Sequence, residues 1–266
     1  MPSYAVIGAS RGIGLEFVRQ LAAKPNTVVF AVVRNASKST YLQAVAKDAK
    51  NIHVVEGDVG DYASLQKAAE RVSEVTGGKL DYLIHNAARV EAENLSKGFD
   101  DYASIDELDT DFTTSFKVNG LGVIHSISAF LPLLRAGPTK KIVAISTAGA
   151  DPKTVRASGF AGGPGYAMTK AAGLLATIKW ALKLQDEGFV VVAVNPGLVD
   201  SSGTSDDPAA RALFEEIAET FFKKTGVRLE PETPEQSVAA QLKLIDGLKP
   251  SDNGLFLEHT GGEYGL

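Results

Sequence analysis

Tyr4-Ala5-Val6-Ile7-Gly8-Ala9-Ser10-Arg11-Gly12-Ile13-Gly14 is the stretch that decides the fold. The apolar run before Gly8 reads as a buried strand. The spacing G-x-x-x-G-x-G turns the chain, and the stripe Ile13, Phe17, Val18 and Leu21 then reads as one face of a helix. A strand, a glycine turn and a helix N-terminus gather backbone N–H groups and partial positive charge at one point. Glycines there let a pyrophosphate approach the backbone. Gly8, Ser10, Arg11, Gly12, Ile13 and Gly14 are therefore candidate cofactor contacts.

The same rhythm continues outward. Short runs rich in Val and Ile at 4–7, 27–33, 52–56, 80–85, 141–146 and 190–195 read as strands, and 255–257 as a seventh. Helical patterns at 13–23, 62–75, 112–134 and 166–186 lie between them. Such alternation predicts a single-domain α/β chain of the Rossmann type: a doubly wound, seven-stranded parallel sheet flanked by helices. Two stretches break the rhythm, the glycine-rich 149–165 and the segment 200–234. Both follow strands, so both are placed to border a ligand beyond the strand ends. The second begins polar and then carries Leu213, Phe214, Ile217, Phe221 and Phe222, which suits a lid over substrate.

The end of the second strand bears on the cofactor. An NAD site places an acid about 20 residues beyond the loop, to bind the ribose 2′-hydroxyl. Here Ala31-Val32-Val33 ends in Arg34. An arginine offers two parallel hydrogen bonds to a 2′-phosphate, and Arg11 adds a second cation. The pair predicts NADP(H) over NAD(H).

Composition narrows the alternatives. A net charge of -5 argues against a nucleic-acid surface. With no cysteine, disulfides, thiolate metal sites and a cysteine nucleophile are excluded. The four histidines show no ligand spacing, so no metal is expected. No basic, cleavable leader opens the chain and no apolar run approaches ~18–20 residues, so neither secretion nor a membrane partner is expected and the reading is cytoplasmic.

With these pieces in order, the sequence resembles the short-chain dehydrogenase/reductase family over nearly its whole length. Gly8–Gly14 is similar to that family's glycine loop. Asp58-Val59 resembles its adenine-contacting pair, and Asn86-Ala87-Ala88 its N-A-G motif, with alanine where glycine is common. Asn119 resembles its active-site asparagine, and Tyr166 with Lys170 its Y-x-x-x-K. Pro196-Gly197-Leu198-Val199 resembles its P-G motif by the nicotinamide. The ending 256–262 resembles the C-factor/sniffer-like carbonyl reductase subgroup. The resemblance implies an NADP(H)-dependent oxidoreductase acting on CH–OH or C=O groups of a small molecule, with Pro196, Gly197 and Val199 at the cofactor and a homodimer or homotetramer as assembly.

The chemistry it implies is coherent. Tyr166 and Lys170 stand at i and i+4, on one helix face. A neighbouring ammonium is expected to lower the phenol's pKa, letting Tyr166 exchange a proton with the substrate oxygen while Lys170 holds the nicotinamide ribose. A hydroxyl should polarise that oxygen. Counting from Ile145, Thr147 aligns with the family serine and Ser146 with its neighbour. The usual spacing of 13 residues to the tyrosine is lengthened by six, so both stand as candidates. An alternative reading is an NADP(H)-binding sensor of the same fold with little turnover; the intact Asn119, Tyr166 and Lys170 set speaks against it. A sugar-nucleotide epimerase fits the loop less well. Trp180 and His85 read as packing residues. Asp100-Asp101, Asp109-Asp111 and Glu215-Glu216 read as solvated carboxylates.

Overall fold

The computed structural model describes residues 1–204 and 230–265, and between them 212, 215, 218–220, 222, 223, 226 and 228. Seven strands form one all-parallel sheet: β1 (Ser3–Ile7), β2 (Val28–Val33), β3 (Ile52–Glu56), β4 (Tyr82–His85), β5 (Lys141–Ile145), β6 (Val190–Asn195) and β7 (Phe256–Glu258). Their order is β3-β2-β1-β4-β5-β6-β7. The winding reverses between β1 and β4, and in an open α/β sheet the crevice beyond that reversal is where ligands bind.

The helices follow from local signals. α1 (Gly12–Ala23) opens on the glycine loop, and α2 (Thr40–Ala46) follows β2. α3 (Tyr62–Thr76) starts where the Asp61 carboxylate accepts from the Ala63 and Ser64 N–H groups; it stops at Gly77, whose φ of 64° suits glycine. After β4 come α4 (Ala92–Leu95), α5 (Ile105–Ser115) and α6 (Gly122–Ala136), then α7 (Pro152–Ser158) and α8 (Pro164–Leu184). α9 (Pro234–Gly247) has a full capping box, Thr233 with Gln236, and Pro234 in its first turn.

Alternate strand residues feed two cores. Phe30, Leu83, Ile127 and Phe130 are buried on the α3, α6 and α8 side. Phe17, Leu21, Ile84, Val192 and Leu242 are buried on the α1 and α9 side. Leu83 and Ile84, neighbours in β4, go to opposite cores as the pleat requires. Trp180 packs partly against the first core; its outer side, with Ile124 and Leu175, lines a groove of about 460 Å³ between α6 and α8.

The seven expected strands are present, with ends moved by one or two residues. Three expectations change. The helix foreseen at 112–134 is α5 and α6 joined by a π-helical turn, Phe116–Leu121. Part of the glycine-rich 149–165 is helical, because Asp151 caps α7, Pro152 fits its first turn and Gly159 ends it at a φ of 60°. Finally, Ile105–Ala136 runs on as 32 helical residues containing a window long and apolar enough to cross a membrane; 61% of that window is buried inside the fold, as in a core helix. The lid expected at 200–234 lies partly outside the described residues, with Leu213, Phe214, Ile217 and Phe221 among those not described. Its two ends are held together: Asp200 N–H donates to the Glu232 carbonyl (3.0 Å) and Glu232 N–H to Leu198 (2.8 Å).

Candidate active site

The loops after β1, β4, β5 and β6 meet at the carboxyl edge of the sheet. Close packing explains the glycines there. A Cβ on Gly14 would lie 2.1 Å from the Gly8 carbonyl oxygen, and one on Gly8 only 2.6 Å from the Ala87 Cα. Asn86 fixes this meeting point by donating from Nδ2 to the Gly8 carbonyl (2.9 Å). The first turn of α1 carries no acid, and the Arg11 side chain does not cap it. The Thr204 hydroxyl accepts from the Gly12 N–H at 2.8 Å, so an oxygen already sits on the helix N-terminus. Arg11 and Arg34 are exposed beside this cradle. The Asp58 carboxylate accepts from the Gly60 N–H (2.8 Å), and the buried Val59 abuts Gly122. On the β6 side, Gly197 has a φ of 80° and the His259 ring lies against it, 2.8 Å from where a Cβ would stand. His259 pairs with Glu232 (2.7 Å), and Ser237 donates to the Pro196 carbonyl (2.6 Å), so this loop is braced from beneath.

These residues fit a dinucleotide. The glycine cradle is too tight for any side chain, its helix N-terminus carries no acid, and the Thr204 hydroxyl on the Gly12 N–H stands where an anion's oxygen would bind. Gly8, Ser10, Gly12, Ile13 and Gly14 would hold its pyrophosphate, and Asn86, Ala87, Ala88, Pro196, Gly197 and Val199, in the loops after β4 and β6, would border the rest of it.

The candidate reacting groups stand just after β5 and on α8. Tyr166 is half-buried, and its phenol is pushed up to about 12 by burial, with a hydrogen bond to Thr147 working the other way. The expected lowering by Lys170 is therefore not met. Lys170 is buried and its ammonium donates to the Ile145 carbonyl, which spends the cation on the end of β5. Burial draws Lys170 down to about 8. The two candidate hydroxyls differ. Thr147 accepts from the Gly149 N–H (3.3 Å) and meets Tyr166. The Ser146 hydroxyl is buried with no hydrogen-bond partner.

Asn119 lies in the π-helical turn, almost fully buried. Its Oδ1 accepts from the Arg89 N–H (2.7 Å), and its Nδ2 donates to the Arg89 carbonyl (3.1 Å) and to Thr169 (3.0 Å). Asp111 departs from the solvated carboxylate the sequence predicts: it is buried and pairs with the Arg89 guanidinium at 2.5 Å. Its partner is 22 residues away in sequence, so no local pattern announces the pair.

His85 ends β4 as a packed residue, its Nδ1 bonded to Ser126 (3.0 Å). Burial, and then the charge of Lys170, draws it down to about 3. The unfolded chain, near 6.5, takes up this proton where the folded chain refuses it. Stability is therefore expected to fall as pH drops from about 6.5 towards about 3, by up to about 4 kcal/mol at about 1.4 kcal/mol per pH unit. Urea unfolding across that range checks this; His85→Asn should flatten the slope, and an unchanged slope would assign the acid loss elsewhere.

Residues 3–212 match the short chain dehydrogenase family. The chain belongs to that family. It is also 37% identical to the short-chain dehydrogenase/reductase atnB of an Arthrinium species, over 98% of each chain. It is 34% identical to the short chain dehydrogenase virK of Hypocrea virens, over 99% of each. Among solved structures it is similar to an NADPH-bound carbonyl reductase from chicken fatty liver, at 26% identity and a TM-score of 0.79, covering all of this chain and 94% of the other. The Drosophila melanogaster carbonyl reductase Sniffer shares the fold, at 22% identity and a TM-score of 0.79 over 99% and 98% of the chains. A short-chain dehydrogenase is an oxidoreductase that works with a nicotinamide cofactor on a small molecule, which suits both the cradle and the Tyr166–Lys170 face described above.

Proposed function

We propose that this short-chain dehydrogenase reduces a ketone or aldehyde to the alcohol with NADPH. The observation that carries the reading is the placement of Tyr166 and Lys170 one helical turn apart on α8, with Lys170 held to the Ile145 carbonyl at the end of β5, next to Ser146 and Thr147 and beside the glycine cradle. The similarity to an NADPH-bound carbonyl reductase supports it, as do Arg11 and Arg34, two exposed cations suited to a 2′-phosphate. When bound, the nicotinamide supplies the hydride.

The protein's residues supply the rest. With its pKa near 12, Tyr166 keeps its proton at neutral pH and donates it to the substrate oxygen. Thr147 accepts from Gly149 and keeps one O–H, which turns from the Tyr166 phenol to donate to that same oxygen when substrate is bound. Lys170, buried with its ammonium on the Ile145 carbonyl, fastens α8 to the end of β5 and so holds Tyr166 in place beside the substrate oxygen. Asn119 spends its amide on Arg89 and Thr169, so its part is to hold the loop after β4 against α8.

Thr147→Val should lower kcat by about a hundredfold, since one aimed donor is lost, and Ser146→Ala should cost far less. Steady-state kinetics of the two variants checks this, and the opposite ranking would give the role to Ser146. The function as a whole is tested by following NADPH oxidation against a panel of ketones and aldehydes. Turnover of at least one compound is expected; tight NADPH binding with no turnover on any would favour a sensor.

A further inference from the structure

We propose that the Arg89–Asp111 ion pair sets the position of the active site, making Arg89 and Asp111 positioning residues for the reduction. The inference rests on the carbonyl reductase reading above. Neither residue stands on an element that donates to substrate in that reading, yet together they close a ring around the elements that do.

The ring runs through hydrogen bonds and closes on one close packing contact. The Arg89 guanidinium donates to Asp111 Oδ1 (2.5 Å) and to the Ser115 hydroxyl (2.9 Å). The Arg89 backbone holds both ends of the Asn119 amide, at 2.7 and 3.1 Å. Asn119 Nδ2 donates to Thr169 Oγ1 (3.0 Å), and the Thr169 hydroxyl donates to the Gly165 carbonyl (2.6 Å). Gly165 brings the path back, because a Cβ there would stand 2.8 Å from Asp111 Oδ2. Tyr102 fixes that same oxygen from the far side (2.9 Å). One carboxylate thus ties the loop carrying Asn86, the π-helical turn carrying Asn119 and the first turn of α8, where Gly165 immediately precedes Tyr166.

Stability alone is a poor reason for such a pair. The Asp111 side chain is only 6% exposed and that of Arg89 24%. Two apolar residues of similar volume are often as stable as a buried ion pair, or more so. What an apolar pair lacks is direction. A guanidinium and a carboxylate with several aimed hydrogen bonds accept one geometry, and a displacement of about 1 Å at a reacting group can cost about a hundredfold in rate. The carboxylate also lies at the positive end of α8, which favours its charge. Burial raises the Asp111 pKa, but the hydrogen bonds from Arg89 and Tyr102 outweigh it and hold the carboxyl below its ordinary value, so the pair stays ionised at neutral pH.

The test uses Arg89→Ala, and the double variant Arg89→Met with Asp111→Leu, which removes both charges and so leaves none buried and unpaired. Two readouts are taken: kcat for carbonyl reduction, and the emission maximum of bound NADPH, which reports how the nicotinamide is seated whether or not turnover occurs. For both variants kcat should fall about tenfold to a hundredfold, with NADPH affinity little changed and the emission maximum moved towards that of free NADPH. Free guanidinium should restore much of both signals in Arg89→Ala, which it would not do for a misfolded protein. A double variant with unchanged kcat and unchanged emission overturns the proposal, as does an Arg89→Ala loss that guanidinium leaves untouched. If the unaltered protein reduces no carbonyl, the function proposed above fails, while the emission and its rescue still decide the role of the ion pair.

Discussion

Tyr166→Phe is expected to lower carbonyl reduction by about a thousandfold while leaving NADPH bound. The variant keeps the ring and loses only the hydroxyl. Tyr166 holds its proton because burial raises its pKa to about 12. Lys170 cannot replace it, since its ammonium is spent on the Ile145 carbonyl at the end of β5. Without the phenol, the developing alkoxide must take its proton from water or from Thr147, both weaker acids in this setting. Steady-state rates together with a fluorescence titration of NADPH check the split. A variant that loses cofactor affinity in step with rate would show Tyr166 to be a binding residue and not the acid.

Arg34→Asp is expected to reverse the cofactor preference. Arg34 closes β2 with an exposed guanidinium, on the side of the cradle where a 2′-phosphate would lie. A charge-assisted hydrogen bond contributes about 1.5–3 kcal/mol, so its loss should weaken NADPH by about 10- to 150-fold. The introduced carboxylate also repels the phosphate and can accept from the 2′-hydroxyl of NADH. Arg11→Ala should have the same sign and a smaller size, since Arg34 remains. The ratio of kcat/KM for NADPH and NADH reads this directly. An unaltered protein that uses the two cofactors equally would remove the role of both arginines.

Much of this was legible in the sequence because it is carried by neighbours. The glycine loop, the Val- and Ile-rich strands and the i, i+4 pair Tyr166–Lys170 are short-range patterns; the strands form the sheet, and the loop and the pair stand at its carboxyl edge. Helix α7 was hidden for a local reason: glycines at 149, 159, 162, 163 and 165 masked the Asp151-Pro152 start and the Gly159 stop. The π-helical turn at Asn119 has no periodic signature, since one extra residue in a turn hardly disturbs an apolar stripe. Asp111 was illegible for a deeper reason. Amid Asp106, Glu107 and Asp109 it reads as one more solvated acid, and only the fold brings Arg89 to it. The pKa of Tyr166 was misjudged in the same way. Sequence spacing shows that Lys170 is near, but not that its ammonium is engaged with a backbone carbonyl.

The central claim is that hydride passes to a carbonyl carbon at this site while Tyr166 supplies the proton. The direct measurement uses NADPH carrying deuterium at the transferable position of the nicotinamide, incubated with the protein and a reducible ketone, followed by mass spectrometry of the alcohol. The expected result is one deuterium on the carbinol carbon, incorporated from a single face of the nicotinamide and lost with Tyr166→Phe. Alcohol free of deuterium, or labelled alcohol formed equally well by Tyr166→Phe, would contradict the account.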